Sequence, residues 1–297
     1  MDTGLTMNSR RRWLLLAVVS SAQFLAAFDL WVVTIALQTL QREFAPAELS
    51  DVAWILNIYT IVLAVFLAVL GLLFARTLGQ LTASGAEGVE FPMQMLLGLG
   101  DLQSIGGVLA FLAFWLVFLL TPALLTMRLF AEERSSGTLE MLLTAPLRDG
   151  QIVLSKFLAC FAFYLVMWLP SLLYLPIMMQ TGIDLWPVLT TYLGLGLAGA
   201  MLLSLGLLIS SLVRSQLVAA LLALFVSLIF VAGGFWLTGR DVGDPLYQLG
   251  FYVTVPLHFE RNFSRGLLDT RQLVLYSSVT VFCLFLTVRS LESRRWR

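Results

Sequence analysis

Charge is scarce in this chain. Only 12% of its 297 residues are Asp, Glu, Lys or Arg, 59% are hydrophobic, and the mean hydropathy is +0.91. A soluble domain carries about 25% charged and about 45–50% apolar residues. Too little polar surface is left to cover a water-soluble fold of this length, so composition implies an integral membrane protein. The charges cancel, 18 basic against 18 acidic, and no nucleic-acid partner is suggested. Lysine is rarer still. Lys156, in LSKF, is the single one, with no glycine before it and no hydroxyl after it. A P-loop needs Gly-x-x-x-x-Gly-Lys-Ser/Thr. ATP therefore cannot bind in that way here, no cofactor is expected on the chain, and any ATP-driven activity needs another polypeptide. Histidine occurs once, at His258. No cysteine, second histidine or carboxylate cluster joins it, so a structural role is expected and a metal site is not. Cys160 and Cys283 both fall in apolar runs, away from the accessible thiolates that redox chemistry uses. No nucleophile–base pair is readable, so the chain reads as a non-enzyme with no catalytic residue. Arg10, Arg11 and Arg12 resemble the start of a signal peptide, but the apolar run behind them is too long and lacks a small-x-small cleavage site.

Long apolar runs are what the chain does have. A helix needs roughly 20 mostly apolar residues to cross a bilayer. Seven candidates run about Trp13–Leu37, Val52–Phe74, Ile105–Thr126, Ile152–Met179, Val188–Leu212, Gln216–Leu237 and Leu273–Val288. They are continuous rather than alternating, so the spanning structure expected is helical and the fold class all-α, polytopic. Basic residues in short loops mark the inner side. The 127–156 loop, the tail with Arg289, Arg294, Arg295 and Arg297, and the tight turn holding Arg214 all suit it. The short 181–187 loop carries no basic residue and suits the outer side. The 239–272 loop is then outer by parity, although Arg240, Arg261, Arg265 and Arg271 lie in it. With the tail inside, seven spans put the N-terminus outside, in conflict with Arg10–Arg12.

Between Met127 and Lys156 the apolar character breaks: MRLFAEERSSGTLEMLLTAPLRDGQIVLSK. Eight charges are packed there: Arg128, Glu132, Glu133, Arg134, Glu140, Arg148, Asp149 and Lys156. Ser135, Ser136 and Gly137 are expected to break the helix descending from Ile105–Thr126. Thr138 can N-cap a short helix over 139–144, with Glu140 in its first turn where negative charge suits the dipole. Pro146 stops it, and Asp149 can cap the next span. A solvated linker fits the same composition, but a linker has no need of caps, breaks and a short amphipathic helix. A docking surface for a soluble partner does.

These residues carry a family resemblance. Pro122, Thr126, Met127, Arg128, Ala131, Glu132 and Glu133 fit the pattern P-x-L-T-M-R-x-x-A-E-E with one extra leucine. Ser136, Gly137, Thr138, Leu139 and Glu140 fit S-G-T-L-E, Pro146 fits L-L-T-x-P, and Lys156 and Phe157 fit K-F. The segment resembles ABC-2 type permeases, especially the gliding-motility and nitrous-oxide-reductase-maturation branch. The likeness runs through YLGLGLAGAMLLSLGLLISSLVRSQLVAA and LHFERNFSRGLLDTR to VRSLESRRWR, over about 61–297, with a poor match at 79–107. It implies a six-helix permease bundle, an integral multi-pass subunit of an ATP-binding cassette transporter in a bacterial or archaeal plasma membrane. It also implies a separate ATPase subunit that binds the ATP, a second permease copy or paralogue, and export as the direction. By motif match, Arg128, Glu132, Glu133, Arg134, Gly137, Thr138 and Glu140 are the expected ATPase-coupling residues.

The N-terminal fifth reads differently. FLAAFDLWVVTIALQTLQREF and SDVAWILNIYTIVLA resemble the start of major facilitator superfamily drug:proton antiporters, which carry L-D-x-T-I-V-N-V-A-L-P and W-V-L-N-A-Y-T-L. Phe28, Asp29, Val33, Ala36 and Leu37 fit, as do Trp54, Leu56, Asn57, Tyr59 and Thr60, while Thr34 and Gln38 depart. Residues 1–60 thus form a carrier-like segment, one extra helix ahead of a permease domain over 61–297, as a fusion near Tyr59 would produce. A mid-span carboxylate costs about 2.5–3.5 kcal/mol on insertion scales. Asp29 is accordingly a candidate intramembrane site, with a packed, neutral remnant as the plainer reading. The alternative function is a truncated or fused proton-coupled carrier fragment without transport of its own.

Overall fold

A computed structural model describes residues 64–65, 68–69, 71–76, 79, 93–94, 97–99, 105–136, 148–174, 176, 184–233 and 244–295. Among them every regular element is helical. In chain order these are α1 (Ile105–Thr126), α2 (Ala131–Ser136), α3 (Asp149–Trp168), a 3₁₀ turn (Leu169–Tyr174), α4 (Leu185–Leu212), α5 (Gln216–Ala232), α6 (Pro245–Val253), α7 (Val255–Arg261), a second 3₁₀ turn (Phe263–Arg265) and α8 (Thr270–Arg295). The candidate span at 13–37, with Asp29, lies outside the described residues. Of the next, 52–74, the described pieces are helical.

Four helices, α1, α3, α4 and α8, are long and apolar enough to cross a bilayer; α5 is apolar and shorter. α1 has the expected bounds. α3 is shorter than expected, ending at Trp168 rather than near Met179, because Pro170 has no N–H for the helical ladder and the chain tightens into a 3₁₀ turn. α5 stops at Ala232, with Gly233 as its cap. α8 runs past the expected Val288 to Arg295, and on that extension Arg289 pairs with Glu292 at 2.7 Å. Leu112 and Leu116 on α1, Leu217 and Leu221 on α5, and Val281 and Phe285 on α8 are all exposed. In a bilayer such faces meet lipid.

α4 lies at the centre, packed by α1, α3, α5 and α8. Its small residues make this possible, because without a water-driven hydrophobic effect, close backbone approach carries the packing. A Cβ on Gly194 would lie 2.9 Å from the Phe263 ring, and one on Gly199 would lie 2.3 Å from the Tyr164 ring. Tyr164 uses that space to donate its hydroxyl to the Leu195 carbonyl at 3.0 Å.

At the end of the bundle away from the charged segment, the expected 239–272 loop is mostly folded. α6, α7 and the second 3₁₀ turn pack down on the spans. Phe263 and Phe259 are fully buried, and the Phe259 ring meets the Trp115 ring edge-on at 5.7 Å. Thr190 and Thr191 of α4 donate to the Phe263 carbonyl at 2.7 and 3.3 Å, and Trp186 Nε1 donates to Gly266 O at 2.8 Å. Gly266 has φ +81°, and a Cβ there would lie 2.9 Å from Trp186, so only glycine fits this turn. The loop's described basic residues are spent locally. Arg261 stacks over Phe251 and donates to the Tyr247 hydroxyl, Arg265 donates to Glu260 O, and Arg271 donates to the Tyr252 hydroxyl. Their count in the loop reflects folding contacts as well as sidedness.

His258 is fully buried here. Its Nε2 lies 2.9 Å from the Phe251 carbonyl and its Nδ1 2.8 Å from the Tyr276 hydroxyl. A carbonyl only accepts, so Nε2 carries the proton and Nδ1 accepts from tyrosine. Burial pushes the imidazole pKa down from 6.5 to about 4, and the Phe251 carbonyl and Asp269 charge offset only part of that. Both ring nitrogens are occupied, which gives His258 the structural role expected of it.

Candidate functional site

The charged segment begins where α1 ends. The descending helix breaks first at Met127–Phe130, a turn, and resumes as α2, which ends at Ser136; Gly137 lies outside the described residues. The cause is a residue about 80 positions away. Ser210, fully buried near the end of α4, accepts hydrogen bonds from the N–H groups of Phe130 and Ala131, both at 3.2 Å. It donates to the Met127 carbonyl, also at 3.2 Å. The first N–H groups of any helix lack partners within it. For α2 a side chain from another helix accepts from two N–H groups at this end. One turn earlier, a Cβ on Gly206 would lie 2.1 Å from Thr126 Oγ1. The missing side chain lets the last residue of α1 sit directly on α4.

Two cations complete the joint. Lys156 of α3 donates to the Leu129 carbonyl at 2.7 Å, pairs with Glu133 at 2.5 Å, and sits 4.8 Å from the centre of the Phe130 ring. Their side chains are 18% and 29% exposed, so the pair is screened less than one in open water. Arg134 Nη1 donates to the Leu212 carbonyl at 2.5 Å. That carbonyl belongs to the last turn of α4, where a cation complements both the orphan acceptor and the helix dipole. α3 itself starts at Asp149. Arg148, not Asp149, is its N-cap, and the Arg148 N–H donates to Gln151 Oε1 at 3.2 Å.

The expected coupling residues therefore separate. Glu133 and Arg134 are engaged with α3 and α4. Arg128 is partly exposed, and its Nε is buried with no hydrogen-bond partner among the described residues. Glu132 lies in α2, though its side chain is outside the described ones; Gly137, Thr138, Glu140 and the expected helix at 139–144 also lie outside the described residues. Ser210 and Lys156 carry the joint but were not expected there. A serine at the end of an apolar helix and the chain's single lysine were the available signals.

Cys160 and Cys283 are free thiols, and Cys160 lies 3.7 Å from the Leu125 carbonyl. Among the described residues no group of three or more His, Cys, Asp or Glu is placed to hold a metal ion.

Residues 93–255, more than half the chain, match the family described as ABC-2 family transporter protein. The chain belongs to the ABC-2 transporter family. It is a multi-pass, all-helical membrane protein and a transmembrane permease component of an ABC transporter. The matched stretch contains the whole joint: the α1–α2 break, Lys156 and Ser210. No curated protein and no solved structure matches the chain. An ABC-2 permease works, as a family property, with an ABC ATPase.

Proposed function

We propose that this ABC-2 permease is an exporter subunit driven by a separate ATPase that docks on residues 127–156, which face the inside of a bacterial or archaeal plasma membrane. A second permease, the same chain or a paralogue, completes the transporter. The observation that carries this reading is the joint. α2 does not hang from α1 alone; Ser210, Lys156 and Arg134 tie it to α4 and α3. A push on this segment would therefore reach three spans together. Within it, Glu133 and Arg134 hold the segment to the permease body. Arg128, Glu132, Gly137, Thr138 and Glu140 are left to meet the ATPase, and the Arg128 Nε brings a donor without a partner among the described residues. ATP is bound and hydrolysed on the partner, consistent with the absence of a P-loop around Lys156. The gliding-motility-like branch and the carrier-like 1–60 segment are part of the same reading; for the latter, long-read sequencing across Tyr59 tests the fusion.

The deciding experiment is co-purification with a candidate ATPase, repeated after residues 132–140 are replaced by a Gly/Ser linker. Loss of association is expected; unchanged association would sink the docking reading. Labelling of a single cysteine placed at 138 by an impermeant thiol reagent, in intact cells and in inverted vesicles, reads sidedness independently. Reaction only in inverted vesicles is expected.

A further inference from the structure

Beside the joint is a feature that coupling does not use. α4 ends at Leu212 and α5 begins at Gln216, so only three residues turn the chain. A turn this short holds Arg214 at the level where the apolar helices end. Arg214 is exposed and has no hydrogen-bond or ion-pair partner among the described residues. Arg134, Arg261, Arg271 and Arg289 all have one. Arg214 stands at the mouth of a cleft of about 570 Å³, together with Ser215 and Gln216. The other walls are Leu124, Met127, Leu217 and Ala220. Among the described residues no acidic one lines it.

One unneutralised cation at the polar end and four apolar walls fit an amphiphile that carries a phosphate. A free anion would leave the apolar walls without a purpose. A zwitterionic headgroup would bring no net charge to the guanidinium. Basic pockets between helices at the inner face suit anionic lipid headgroups on these grounds. We propose that this cleft binds an anionic phospholipid of the inner leaflet, with the phosphate on Arg214 and an acyl chain against Leu124, Leu217 and Ala220. The occupant would also touch Met127, whose carbonyl accepts from Ser210, and so would stiffen the joint. The leaflet assignment rests on the proposed sidedness; the site itself does not.

The test is thermal unfolding of the full-length permease in uncharged detergent, titrated with dioleoylphosphatidylglycerol. A saturable rise in Tm is expected. Arg214→Gln should weaken the apparent affinity about fivefold or more. Ala220→Leu, which fills the cleft and keeps the charge, should weaken it as well. Arg289→Gln, at an arginine already paired with Glu292, should leave it unchanged. An equal rise with dioleoylphosphatidylcholine, or a rise reproduced by inorganic phosphate alone, overturns the proposal. So does an unchanged response in Arg214→Gln. A cross-link from position 214 to a co-purified ATPase, without any phosphatidylglycerol response, would give this surface to the protein partner and equally overturn it. The titration contains no ATPase, so it can fail while docking stands, and the reverse.

Discussion

Ser210→Ala is the sharpest test of the joint. The substitution removes one oxygen and leaves α4 a better helix former, so the spans should be undisturbed. It deprives the Phe130 and Ala131 N–H groups of their shared acceptor and the Met127 carbonyl of its donor. A buried group left without a partner costs about 1–3 kcal/mol. All three bonds are long, at 3.2 Å, so the lower figure applies to each N–H, and the carbonyl, with two lone pairs, tolerates the loss of a donor better, giving about 2 kcal/mol for opening 127–136. That corresponds to roughly 30-fold in an opening equilibrium. Hydrogen exchange of the full chain, read by mass spectrometry, should show Phe130 and Ala131 exchanging about 30-fold faster, with the middles of α1 and α4 unchanged. Ser155→Ala is the control, since Ser155 donates to Ile152 within its own helix; it should leave exchange at 130–131 unaltered. In the ATPase complex, Ser210→Ala should keep association within about twofold while the permease's effect on ATP turnover falls. Unaltered exchange at 130–131 would refute the cap, and a parallel loss of association and turnover would refute the division between docking and holding.

Glu133→Gln and Lys156→Gln in a double-mutant cycle should show a coupling of about 1 kcal/mol, the upper end for a solvent-accessible pair, diminishing in high salt by denaturation titration. Gly206→Ala should destabilise by about 1–3 kcal/mol through overpacking against Thr126, and adding Thr126→Ala should recover part of it in thermal unfolding. Stability should fall as pH drops from 6.5 towards 4. The unfolded histidine takes up a proton in that window, which buried His258, with its pKa of about 4, does not. At 1.36 kcal/mol per pH unit the loss approaches about 3 kcal/mol and then levels off. The wild-type curve minus that of His258→Gln should isolate this slope, and parallel curves would count against the neutral, doubly bonded ring.

Local pattern carried much of the fold. α1 needed nothing but its unbroken apolar run, and α4, α5 and α8 began or ended within a few residues of theirs. The failures have identifiable causes. Pro170 was visible, but continuous apolarity past it suggested a longer helix than the backbone can sustain. The break after Thr126 depends on Ser210, a contact across about 80 residues that no local window contains. α6 and α7 are nine and seven residues long, too short to hold without tertiary packing, and they are fixed by Phe259, Phe263 and His258 against the spans. At the site, composition located the charged segment. It could not separate a charge without a hydrogen-bond partner at its Nε among the described residues, Arg128, from charges used on the chain itself, Glu133 and Arg134.

α4 has 28 residues, about 42 Å at 1.5 Å per residue, against a hydrocarbon layer of about 30 Å. It is fastened near one end to Phe263 and Gly266 through Thr190, Thr191 and Trp186, and near the other to the α1–α2 turn through Ser210. A rod fastened at both ends serves as an optical lever as well as a mechanical one. The indole of Trp186, bonded to Gly266, sits where emission wavelength and quenching respond to small shifts of the rod. With the chain's seven other tryptophans replaced, light collected from one face of the membrane would follow whether the proposed docking at the opposite face moves the rod.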